Sequence, residues 1–123
     1  MRTSLILASL IAFGAGTGAD AASLDGSWAR SDGKARVRIA RCGADICATN
    51  IWIKPGTPSE KAGDVLVMTI KADAHGNYSG SAFDPQRNMR YKITLDVGAR
   101  KMTSRGCVLG GLLCKGVGWT RIN

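Results

Sequence analysis

Residues Asp32 to Lys54 read DGKARVRIARCGADICATNIWIK, and the alternation within this stretch decides the fold class. From Ala35 to Arg41, apolar residues and arginines take turns, the period of two that a strand needs when one face is buried and the other meets water. Val37 and Ile39 are expected to point inward, and Arg36, Arg38 and Arg41 outward. The run Cys42-Gly43-Ala44-Asp45-Ile46-Cys47 then makes a short connection whose thiols can meet across a hairpin, and Ile51, Trp52 and Ile53 close a second strand.

The same grammar extends in both directions. Upstream, Leu24 to Arg30 reads as a first strand with Trp28 near its start, and Asp32-Gly33 as the tight turn after it. Downstream, Lys54 to Gly63 (KPGTPSEKAG) has two prolines, two glycines and no periodicity, so it is expected to be the longest connection. Asp64 to Lys71 (DVLVMTIK) is a nearly continuous apolar run and is expected to be the most buried strand. Tyr78 to Phe83 follows, with Gly80 marking a bulge or a close approach. Met89 to Val97 alternates most cleanly of all, and Lys101 to Cys107 and Cys114 to Ile122 complete the set. Eight short strands joined by turn-forming residues, with no helical period, predict an all-β antiparallel up-and-down meander. Closure removes the two edges that such a sheet would expose, so an eight-stranded barrel is expected, wide enough to be filled by side chains or to hold one small ligand.

Residues Met1 to Ala21 carry Arg2, an apolar run from Leu5 to Phe13 and small residues ending in Ala19-Asp20-Ala21, the make-up of a Sec-type secretory signal peptide. The run is shorter than the roughly 18 residues needed to cross a bilayer, so no transmembrane span is expected after cleavage. Cutting after Ala21 leaves 22–123, one small barrel domain of 102 residues, in the periplasm or outside the cell. In that oxidising setting Cys42, Cys47, Cys107 and Cys114 are expected as disulfides. Three pairings are open to four cysteines. Cys42–Cys47 and Cys107–Cys114 each bracket a turn-like segment and are the expected two, whereas the spacings C-x4-C and C-x6-C suit zinc poorly, and no metal is expected.

With 17 Lys+Arg against 9 Asp+Glu the net charge is +8, a bias toward anionic partners. The cations form no run of five or more, which argues against nucleic acid. Arg36, Arg38, Arg41, Arg90 and Lys92 are the candidate contacts for an anionic envelope surface; the plainer reading is a solvated basic face.

Gly26-x-Trp28, Asp32-Gly33-Lys34-Ala35-x-Val37-x-Ile39, Cys42-Gly43-x-x-Ile46-Cys47, Trp52, Arg105-Gly106-Cys107 and Trp119-Thr120-Arg121 together resemble the small secreted bacterial family catalogued as domain of unknown function 2147. The likeness covers nearly the whole chain beyond the leader, and the family's name assigns no activity. The family's longer polar insertion, with an Asn-Pro-Asp segment after the third strand, is replaced here by Lys54 to Gly63. More broadly, Gly26-x-Trp28 and Arg121 resemble the first-strand tryptophan and last-strand arginine of lipocalin and avidin-like barrels. That resemblance implies a structural plug made by Gly26, Trp28, Trp119 and Arg121, with the guanidinium lying on an indole face.

For catalysis the sequence offers little. His75 stands alone in a turn, no nucleophile motif is present, and Asp64, Asp73, Asp84 and Asp96 fall where aspartate serves local backbone hydrogen bonds. No enzyme activity and no cofactor are expected. The expected function is a non-catalytic periplasmic binding or accessory barrel for a small or lipidic ligand, entered at the end bounded by Lys54 to Gly63, with Trp52, Tyr78 and Tyr91 as candidate contacts. The alternatives are an interaction or inhibitor protein acting on another exported macromolecule, and an electrostatic envelope binder.

Overall fold

The computed structural model describes residues 23–123; the expected signal peptide lies outside the described residues. Eight strands follow one another: β1 Gly26–Arg30, β2 Ala35–Cys42, β3 Asp45–Ile53, β4 Val65–Ala72, β5 Tyr78–Asp84, β6 Met89–Val97, β7 Lys101–Val108 and β8 Leu113–Arg121. Each pairs antiparallel with the next, and β8 returns to β1, so the sheet closes as an up-and-down barrel without a free edge.

Local chemistry sets each element. In β6 the residues Ile93, Leu95 and Val97 are buried while Lys92, Thr94 and Asp96 are exposed, as their alternation requires. Asp32-Gly33 makes the β1–β2 turn: Gly33 takes φ 74°, a left-handed conformation that costs glycine little, and the Asp32 carboxylate accepts the Lys34 backbone N–H at 2.8 Å. Asp73 and Asp84 work the same way, accepting backbone N–H groups of His75 and Gln86 at 2.8 and 3.0 Å. Gly80 marks a close approach: a β-carbon there would stand 2.0 Å from the Thr69 carbonyl oxygen on β4. Both hairpin disulfides form, Cys42–Cys47 and Cys107–Cys114.

The core is built from β1, β2 and β6 with single residues of neighbouring strands, Met68 and Met102 among them. This corrects the expectation for β4. Only Met68 of that strand is fully buried. A barrel wall has two faces, so half of any apolar run must look outward; Val67 does so beside Phe83 and Cys47, while Leu66 is only partly buried, packed against the core on one side and lining open interior space on the other.

The meander alternates between two ends. One gathers the β2–β3, β4–β5 and β6–β7 turns with the segment entering β1, Ser23 to Asp25, and the C-terminal Asn123. The other gathers the β1–β2, β5–β6 and β7–β8 turns with the long β3–β4 connection, residues 54–64.

Candidate functional site

The end that holds the start of β1 and the C-terminus is shut. Trp28 is fully buried on β1, its indole N–H donates to the Leu24 carbonyl at 3.0 Å, and the Arg121 guanidinium lies 4.3 Å above its ring. Arg121 also donates to three carbonyls, of Asp25 at 2.9 Å, of Ala99 at 3.0 Å and of Ser23. The two residues meet because the β1–β8 register sets Trp28 opposite Arg121. Gly26 is required beneath them: a β-carbon would come within 2.7 Å of the Arg121 guanidinium and 2.6 Å of the Asn123 carbonyl oxygen. Trp119 stands one step higher, half-buried, donating from its indole N–H to the Ser104 hydroxyl at 2.9 Å.

Above this floor the barrel encloses a cavity of about 930 Å³ that opens at the other end. Val37, Ile39, Met68, Leu95 and Met102 line its depth, and Ala48 and Gly106 leave the walls thin. Tyr91 enters from β6 and lays its ring on Gly106, where a β-carbon would come within 2.8 Å of the ring edge. Burial pushes the Tyr91 phenol above its ordinary range, and the nearby Asp84 charge adds to that. Lys115 belongs to the inward row of β8, opposite Gly106, and reaches the mouth.

Residues 54–64 form a strap across one side of the mouth. Arg30 grips its Glu60 carboxylate with two hydrogen bonds, 2.7 and 3.0 Å, and turns its third donor to Asp32 at 3.0 Å. Arg87, on the β5–β6 turn, holds Asp84 at 2.8 Å, Asp64 at 3.7 Å and the Ser59 carbonyl. The Gln86 amide bridges the Val65 N–H and C=O, both at 2.8 Å. The foot of the strap rests on a β-bulge: the β2–β3 register shifts between Arg36 and Val37, which leaves Ile51 as the extra residue; just before it Asn50, the last of the inward row from Ile46 and Ala48, bonds Gly63 and Asp64 through its backbone. The hydrogen bonds from Arg30 hold the Glu60 carboxyl below its usual range. Asp84 is also lowered: its partial burial alone would raise it, but the bonds from Gln86 and Arg87 outweigh that.

The structure places the sequence-derived candidates unequally. Tyr91 lines the cavity. Trp52 does not: it pairs with Arg36 on the outer face, the guanidinium 4.9 Å from its ring, because the extra residue Ile51 breaks the inward row after Asn50 and turns Trp52 outward. Tyr78 does not either, since it begins β5 at the closed end beside Asp73 and Asn77. The five cations make no common surface. Arg36 and Arg38 lie on β2 and Arg90 and Lys92 on β6, halfway around the barrel. Arg41 falls in the inward register with Val37 and Ile39, and is exposed only because β2 runs past the core. Arg30, Glu60 and Arg87 were not distinguishable as a set in the sequence, because contacts across 30 positions leave no periodic trace.

Among the described residues no three His, Cys, Asp or Glu side chains gather as metal ligands. A family model described as "Uncharacterized protein conserved in bacteria (DUF2147)" matches residues 26–121, the span from the first strand of the barrel to the last. No curated protein and no solved structure matches the chain.

Proposed function

We propose, for a chain that belongs to the DUF2147 family of bacterial proteins, that the barrel is an exported, non-catalytic carrier of a small lipidic ligand. The observation that carries this reading is the cavity: about 930 Å³, apolar in its depth, floored by Trp28 and open at one end, near the upper limit of common small-molecule sites. Its size suits an aliphatic or ring-bearing body, and its lining offers that body dispersion contacts in place of water. Lys115 at the mouth makes no ion pair among the described residues, which favours a ligand whose polar end is anionic, of the fatty-acid type. Two disulfides closing hairpins support an oxidising compartment and so the export expected from the leader.

The test is displacement of a fluorescent fatty acid from the oxidised 22–123 domain, together with native mass spectrometry of the protein as purified. Wild type should take up the probe and release it to oleate. Ala48→Trp, which fills the cavity from β3, should lose uptake by about tenfold or more while keeping a cooperative unfolding transition. No uptake by wild type, or uptake unchanged in Ala48→Trp, overturns the reading.

A further inference from the structure

Seven large apolar side chains are exposed among the described residues, and six of them, all but Ile122, stand at the open end. The densest group is the β7–β8 tip, where Leu109, Leu112 and Leu113 are 71, 87 and 61 % exposed, with Met89 at the adjacent start of β6. The turn itself does not call for leucine. Leu109 sits at φ 55°, where glycine or asparagine is the ordinary choice, and the Cys107–Cys114 disulfide already staples the hairpin. These side chains also do not pack on the core.

Charge around the tip has one sign. From Met89 to Asn123 there are seven basic residues and one acidic residue, Asp96, which lies toward the closed end. Arg90, Lys92 and Arg105 stand on the wall leading up to the tip, Lys92 directly across from Cys107, and none of the three forms a salt bridge among the described residues. The acids of the mouth, including Asp84 directly across from Met89, are all engaged: Asp32 and Glu60 by Arg30, Asp64 and Asp84 by Arg87.

Exposed leucines above a collar of cations without acidic partners, Arg90 resting 4.6 Å over the Phe83 ring, match the two layers of a membrane interface, where acyl chains lie a few ångströms beneath a plane of phosphates. We propose that the stapled tip Val108–Leu113 docks on an anionic lipid bilayer. Leu109, Leu112 and Leu113 enter the boundary between headgroups and chains, and Arg90, Lys92 and Arg105 meet the phosphates. The charged outer wall keeps the rest of the barrel in water, so contact is end-on and the mouth of the cavity faces the lipid. As a route for a ligand this rests on the binding reading above; as a docking surface it does not.

The oxidised domain is sedimented with phosphatidylcholine vesicles, with and without phosphatidylglycerol. Binding is expected only to the anionic vesicles and should weaken steeply as salt is raised. Leu109→Ser/Leu112→Ser should lower it by about tenfold or more, and Arg90→Gln/Lys92→Gln/Arg105→Gln by a similar factor. These are exposed positions, and a native unfolding midpoint for each variant separates docking from folding. No binding of wild type, binding unchanged by the leucine pair, or stable capture of an acidic protein in place of vesicles overturns the proposal. Ala48→Trp distinguishes the two readings: it should still bind vesicles while failing to take up the fatty acid, and its loss of both would overturn docking through the tip.

Discussion

Arg121 and Arg30 stand at opposite ends of the same β1–β8 seam, Arg121 across from Trp28 and Arg30 across from Trp119. Arg121 gives its donors to backbone carbonyls and its flat face to a buried indole, partners that carry no titratable charge. Arg30 gives its donors to two carboxylates, one on the strap and one on its own turn. The floor at the closed end is therefore held by an arginine whose partners do not titrate, and the strap at the open end by one whose partners do. A barrel that admits a ligand needs that difference, since one end must bear the fold while the other gives way.

The largest effect that probes this contrast is at the floor. Trp28→Ala should cost about 3–5 kcal/mol in chemical denaturation, because it leaves a void under Arg121 and orphans the Leu24 carbonyl. A loss below about 1 kcal/mol would mean that the floor does not carry the fold. Next come the two staples, one at each end. Cys42→Ser/Cys47→Ser and Cys107→Ser/Cys114→Ser should each cost about 2 kcal/mol, since they close chain segments of similar length. A clearly larger loss at the closed end would mean that the staple there supports packing as well as limiting the unfolded chain.

Arg121→Lys should cost about 1–2 kcal/mol, because an ammonium cannot reach three carbonyls and lie on the indole at once. Glu60→Gln belongs at the small end, about 1 kcal/mol in global stability, since the amide keeps one of the two hydrogen bonds of this partly buried pair. Its signature is local: amide exchange across residues 54–64 should speed up while that of β1 and β6 does not change. The pH dependence follows from the sign of the Glu60 shift. A carboxyl held below its ordinary value stabilises the native state at neutral pH, and that contribution fades as pH drops below the ordinary glutamate range, about 4.3, and on through the lowered native value. Wild-type protection of the strap amides, taken relative to their intrinsic exchange rate at each pH, should therefore fall in acid toward that of Glu60→Gln, which should already be low at neutral pH.

How legible each region was depends on the distance over which its residues interact. β6 could be read residue by residue because its signal is local alternation, and the turn aspartates because each bonds its own backbone. The eight-strand meander and the hairpin disulfides follow from the same short-range patterns. Trp52 was misplaced by one inserted residue, since a bulge at Arg36/Val37 reverses the inward row and no side chain announces it. The hydrophobicity of β4 says that the strand is apolar without saying which half faces inward. The cavity itself is invisible in sequence, because it depends on whether Ala48 and its β4 partner Leu66, together with Gly106 on β7, leave space or fill it.

The seam that brings Trp28 to Arg121 also has a meaning in time. Seven of the eight strand pairings join neighbours in the chain and can zip through local turns, while the eighth joins partners at opposite ends of the domain. The entropy of closing so long a loop must be met before any contact across the seam is gained. The pairing with the highest entropic cost is therefore the one that seats the indole under the guanidinium and seals the floor.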